Sequence, residues 1–204
     1  MLRTTILALS AWLTFFSGHI EPSSLALSNA RARTPDTRLL IVSGINKQPA
    51  QARIRDAVVM LLKVQFGEKL SLAPDHIIVL VDDDSSVSGR FAPATTAGLR
   101  RTLQILAAQI RPSDRFIFYY TGQANVVAGK LRFNVRGPDF THVELAEMIS
   151  RIKCSEKLII LDCPGAGLAT EALAGHGRIV ISAARGDQPY STSFSMYFVP
   201  ALLN

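Results

Sequence analysis

Cysteine is nearly absent from this 204-residue chain: Cys154 and Cys163 are the only two. That is too few for a disulfide framework to hold the fold. The pair flanks the apolar run Leu158–Leu161, and an extended strand of that length sets them about 16 Å apart at roughly 3.3 Å per residue. A disulfide needs Cα atoms within about 7 Å, so no intrachain bridge is expected. Charge is also sparse, with 19% charged residues and a formal net charge of +6. Basic residues cluster only as Arg31/Arg33 and Arg100/Arg101 with few aromatics between them. A nucleic-acid groove needs a concentrated basic stripe, which argues against a nucleic-acid partner. Beyond the N-terminus no apolar run is long enough to span a bilayer, so no stable membrane insertion of the body is expected. What the chain does have is apolar content, 48% of residues. At this length that suits one well-packed domain rather than a disordered chain.

The first residues read differently. Arg3 gives a positive start, the stretch from Thr4 to Gly18 is apolar and short, and Ser24/Ala26 or Ser28/Ala30 offer small residues at cleavage spacing. This is the pattern of a cleaved secretory signal over residues 1–26, with cleavage near 26–30. The alternative is an uncleaved signal that anchors the protein in the membrane. Residues 27–38 then read as a linker and 39–204 as the domain, exported to a periplasmic or extracellular space.

Five apolar runs of strand length recur at Leu39–Val42, Ile77–Val81, Phe116–Tyr120, Leu158–Leu161 and Ile179–Ile181. They are continuous rather than alternating, as in strands buried on both faces of a parallel sheet. Helical period lies between them. Ile54, Val58, Leu61 and Leu62 read as one apolar face, followed by Leu99, Leu103, Leu106, Ala107 and Ile110. A third face is Leu145, Met148, Ile149 and Ile152, and a fourth is Phe194, Tyr197, Phe198, Ala201 and Leu202. Pro49 suits a first helical turn, and Thr141 with Glu144 matches a capping box. Lys130–Val135 alternates Leu131, Phe133 and Val135 with polar residues, the pattern of a small hairpin strand outside the main sheet. The expected architecture is a three-layer α/β/α sandwich on a mostly parallel five-stranded sheet. Sites in such sheets form beyond the carboxyl ends of the strands. That directs attention to the loops Ser43–Pro49, Asp82–Ala92, Thr121–Gly129, Asp162–Gly167 and Ser182–Ser191.

Two of these loops carry a family resemblance. The third strand runs into Tyr119-Tyr120-Thr121-Gly122-Gln123, and the fourth into Asp162-Cys163-Pro164-Gly165-Ala166-Gly167. Together they resemble the signature loops of the caspase-like cysteine peptidases (caspases, metacaspases and legumain-type enzymes). In that family the third strand leads into Tyr-Tyr-Ser-Gly-His-Gly and the fourth into Asp-x-Cys-x-Ser-Gly. The resemblance implies a general-base His where this chain has Gln123 and a nucleophilic Cys where it has Pro164. A carboxamide has no protonation equilibrium near neutral pH, and proline carries no nucleophile. The chain therefore reads as a degenerate member without an intact catalytic pair. The resemblance also implies a sixth strand after the last helix, which is not read before Asn204; the expectation is either a sheet edge open for dimerisation or a truncated sequence.

Two residues are weighed as substitutes. Cys163, one position early, sits at a strand-to-helix turn where a helix N-terminus could activate it. A one-residue shift at a strand end turns a side chain to the opposite face, so a small buried thiol is the favoured reading. Among the histidines, only His142 starts a helix near the carboxyl rim; an exposed, capping role is favoured there over a place in the cleft. Asp162 has two open readings. By resemblance to metacaspases it helps form a pocket for a basic side chain; alternatively it accepts hydrogen bonds within its own loop. The run Asp82-Asp83-Asp84 reads as a solvated turn rather than a metal loop, and no metal or cofactor is expected.

The leading expectation is an exported pseudo-protease that binds a peptide or protein partner in the former substrate cleft. Asp162, Gly122, Gln123 and the run Asp82–Asp84 would stand at its mouth. The competing expectations are a cysteine endopeptidase working through Cys163, and a flavodoxin-like domain that binds a small molecule.

Overall fold

The computed structural model describes residues 34–45, 49–82, 91–189 and 193–203. The stretch expected to be a signal, most of the expected linker, and Asp83 and Asp84 lie outside the described residues. Asp36–Asn204 form one compact unit. Strand β1 (Thr37–Ser43) leads to helix α1 (Pro49–Lys69), β2 (Ile77–Val81) and the two-residue β3 (Ala92–Pro93). Helix α2 (Thr96–Gln109) and β4 (Arg115–Thr121) follow, then β5 (Ala124–Val127), β6 (Lys130–Phe133), β7 (Phe140–Thr141) and α3 (His142–Ser150). Strand β8 (Glu156–Asp162), α4 (Thr170–Leu173), β9 (Arg178–Ser182) and α5 (Phe194–Leu203) complete the order.

The main sheet has the order β3-β2-β1-β4-β8-β9, with every pairing parallel. All five apolar runs fall inside its long strands. The sheet has six strands among the described residues, not five. The extra one, β3, is two exposed residues at the edge beside β2; so short a segment has no apolar run to announce it. The linker expectation is corrected at its end as well, because Thr37 and Arg38 already belong to β1.

Alternation along the central strands sorts the core into two layers. Leu40, Val42, Phe118, Tyr120, Ile159 and Leu161 pack with Leu99, Leu103 and Leu106 of α2 and Leu145 and Ile149 of α3. Residues of opposite parity, among them Ile41, Tyr119 and Ile160, are buried toward α1 and α5. There Tyr119 meets Phe198 at 5.8 Å between ring centroids, and Phe198 meets Phe66 at 6.2 Å. Helices on both faces explain why these strands read as unbroken apolar runs.

The apolar faces of α2 and α3 are those read from the sequence. That of α1 is not. Val59, Leu62 and Phe66 are buried, whereas Ile54 and Leu61 are 61% and 46% exposed. This helix carries aliphatic residues almost all round, so period alone cannot choose its buried stripe. Tyr197 of α5 is likewise exposed. Helix starts follow local chemistry. Thr95 Oγ1 accepts from Gly98 N–H at 2.9 Å. The Thr141–Glu144 capping box is reciprocal: Glu144 N–H donates to Thr141 Oγ1 at 3.2 Å and Thr141 N–H to Glu144 Oε2 at 2.8 Å. Strands β5, β6 and β7 form a separate antiparallel sheet, which contains the alternating segment expected outside the main one.

At the amino edge Asp114 is a hub. It accepts from Arg111 N–H at 2.9 Å, Arg111 Nε at 3.1 Å, Arg111 Nη2 at 2.8 Å and Asp36 N–H at 3.1 Å. Burial alone would push its carboxyl up, but these donors outweigh burial and hold it below its ordinary value.

Candidate functional site

Strand order reverses between β1 and β4, so the carboxyl ends of the strands there are where a parallel sheet offers a crevice. In this chain backbone fills that point. Gly44 N–H donates to Thr121 O at 2.9 Å. A Cβ on Gly44 would collide with the Tyr120 hydroxyl and come within 2.5 Å of Asn134 O. A Cβ on Gly122 would meet Gly44 Cα at 3.0 Å. The glycines let two strand ends and the Tyr120 hydroxyl close together.

Among the described residues a groove opens to one side. Its volume is about 370 Å³, and it is lined by residues 124–126 of β5, by Pro164 and Gly165 after β8, and by residues 186–189 after β9. Three of the five rim loops singled out in the sequence thus converge. Local bonds hold them: Gly165 N–H donates to Gln188 O and Gly167 N–H to Ala184 O, both at 2.8 Å. Gly165 has φ +66°, and a Cβ on Gly167 would stand 2.7 Å from Gly186 N. Both positions call for glycine.

Pro164, at the position implied for the nucleophile, lines this groove. Gln123, at the position implied for the base, immediately precedes β5. Its backbone is anchored: Gln123 N–H donates to Ile45 O at 3.3 Å, and Gln123 O accepts from Asn134 N–H at 3.0 Å. The Tyr120 hydroxyl is shared between Gln123 O at 2.7 Å and Asn134 O at 3.1 Å. Burial pushes that phenol well above its ordinary value, so it stays a neutral donor.

Cys163 does not enter the groove. It is fully buried in the layer shared with α2 and α3. Burial first, then the charge of Asp162, pushes its thiol up. Asp162, one residue earlier, turns to the α1 side and is 4% exposed. It accepts from the Thr121 hydroxyl at 3.3 Å and the Tyr119 hydroxyl at 3.4 Å. It does not line this groove: alternation at the strand end turns it toward α1. Nor does Gly122, which is buried and serves the close approach of β1 and β4.

His142 lies elsewhere. It is 9% exposed, and its Nδ1 accepts from Leu131 N–H at 3.2 Å, which leaves the ring proton on Nε2. Its ring ties α3 to β6 rather than facing Pro164. Asp82 ends half-buried beyond β2, outside the groove lining; Asp83 and Asp84 lie outside the described residues.

One residue that the sequence does not mark is Arg55. Its Nη1 donates to Gly44 O at 2.8 Å. Burial lowers its pKa against the attraction of Tyr120, Asp162, Asp56 and Asp82. No spacing rule singles out a lone arginine in the second turn of a helix. Nor does any mark Asn125, Val126 or residues 186–189, which become a groove only through tertiary contact. The sequence matches no protein-family model and no curated protein.

Proposed function

We propose that this chain is a degenerate caspase-like domain, exported from the cell, that no longer cleaves peptide bonds and acts by binding a peptide or protein partner. The observation that carries the reading is the groove itself. A cleft of ligand size survives where the family resemblance implies catalysis, yet Pro164 lines it and Gln123 stands at its edge. Neither can attack a carbonyl or take a thiol proton. The strand order and the paired loops after β4 and β8 support the resemblance, and the N-terminal sequence pattern supports export. Among the described residues no helix is long and apolar enough to cross a membrane.

A peptidase using Cys163 would need that thiol in the groove beside an imidazole. Instead Cys163 is buried on the α2 and α3 side, and His142 is engaged with β6. A flavodoxin-like site would need room at the switch point, where Gly44, Gly122 and Tyr120 are in contact. Thiol alkylation tests the reading: a slow Cys163 is expected, and rapid labelling of Cys163 ahead of Cys154 with a midpoint below pH 8 would overturn it.

A further inference from the structure

The wall of the groove formed by β5 is the edge of the antiparallel sheet β5-β6-β7. Which of its backbone groups are unused follows from the turn. Val127 and Lys130 pair across the two-residue loop Ala128–Gly129, whose φ angles are +49° and +71°. Such a loop closes on a hydrogen-bonded pair, and along an antiparallel ladder bonded and non-bonded pairs alternate. Val127/Lys130 and Asn125/Arg132 are thus the bonded pairs; Val126/Leu131 and Ala124/Phe133 are not. The bond from Asn134 N–H to Gln123 O keeps the same phase. The N–H and C=O of Ala124 and Val126 therefore point away from β6. Among the described residues no other backbone group bonds to them. Ala124, Asn125 and Val126 of β5 line the groove and no residue of β6 or β7 does; Gly165 closes one side against the Val126 and Leu131 side chains.

We infer that the groove takes its ligand by strand addition: an extended peptide segment pairs with the outward N–H and C=O of Val126 and Ala124. This rests on the peptide-binding reading above and specifies how the peptide is held. A row of unpaired backbone donors and acceptors beside a cleft complements an extended main chain better than a compact molecule or a helix. Four residues of β5 reach about 13 Å at ~3.4 Å per residue, enough for a short added strand. The side chains beside that edge are Val126, Pro164 and Pro189, with Gln188 neutral and Asp187 already paired to Arg185 at 2.8 Å. The ligand is accordingly a proline-free segment with apolar side chains at alternate positions.

The test uses the full chain and random nonapeptides displayed on phage. An enriched peptide is synthesised with fluorescein and its affinity read by anisotropy. Val126→Pro deletes an outward N–H that the β5–β6 ladder does not use, a change an edge strand accommodates; thermal melts verify that it folds. Val126→Pro is expected to weaken binding at least tenfold and Val126→Ala less than threefold. N-methylation of the peptide backbone should weaken binding only at every second position. Unchanged affinity in a folded Val126→Pro, or an N-methyl scan without that period, overturns strand addition. If Gln188→Trp, which fills the groove, abolishes binding while Val126→Pro does not, the groove reading survives and strand addition fails. If neither matters, or no peptide is enriched, both fail. A doubled mass in solution that Val126→Pro abolishes would assign the edge to a second copy of this chain and overturn the inference.

Discussion

Alkylation of Cys163 separates a binding domain from a peptidase, and its size follows from access and ionisation. Cys163 is fully buried, so iodoacetamide reaches it only when the strand end after β8 opens. Local opening energies run up to the global stability. An opening of about 4 kcal/mol leaves roughly one molecule in 10³ exposed at any moment. Ionisation acts in the same direction, because burial and Asp162 both favour the neutral thiol, whereas an ordinary cysteine is about 10% thiolate at pH 7.5. Together these make Cys163 at least ~1000-fold slower than a free thiol. Cys154, half-buried at the other end of β8, serves as the internal reference. Its thiol is also pushed up by burial, but Lys157 opposes this. Native alkylation followed by peptide mass spectrometry should show Cys154 modified at least ~100-fold faster, with the difference erased in urea. Cys163 labelling as fast as Cys154, with a midpoint below pH 8, would refute the reasoning.

Two other outcomes follow from the scaffold. Asp114→Asn keeps the shape but loses the charge facing Arg111. Because Arg111 is partly exposed, the cost is discounted to about 2–3 kcal/mol at pH 7, read by urea unfolding. Asp114 has its pKa lowered on folding, so this contribution is complete above the unfolded value near pH 4 and fades as pH falls through the folded one. A difference from wild type that persists unchanged at pH 2 would contradict that assignment. Thr141→Ala removes the hydroxyl half of the α3 capping box. It should cost about 1 kcal/mol, a melting-temperature drop of roughly 2–4 °C; an unchanged melt would show that the cap contributes nothing.

The long strands were legible because helices cover both faces of β1, β4 and β8, so every position of each run is apolar. Alternation also told Cys163 from Asp162: successive residues at a strand end face opposite layers, and the thiol went to the core. The same rule applied to Asp162 would have turned it from the groove, but the resemblance to metacaspases put it at the mouth. Strand β5 was not legible, since three of its four residues are exposed and show no buried period. Nor was the face of α1, where apolar residues on several sides leave the choice to tertiary packing. His142 reads correctly as the start of a helix, but its burial depends on where β6 lies. Arg55 gains its role only because α1 packs against β1, which brings its guanidinium to Gly44 O.

The most direct measurement is the fate of peptides in the groove. The full chain is incubated with a random nonapeptide mixture and new termini are sought by mass spectrometry, beside a Cys163→Ala control. The expected result is binding with no new termini above the control. Cleavage after a defined residue, lost in Cys163→Ala, would contradict a groove that holds peptides without cutting them.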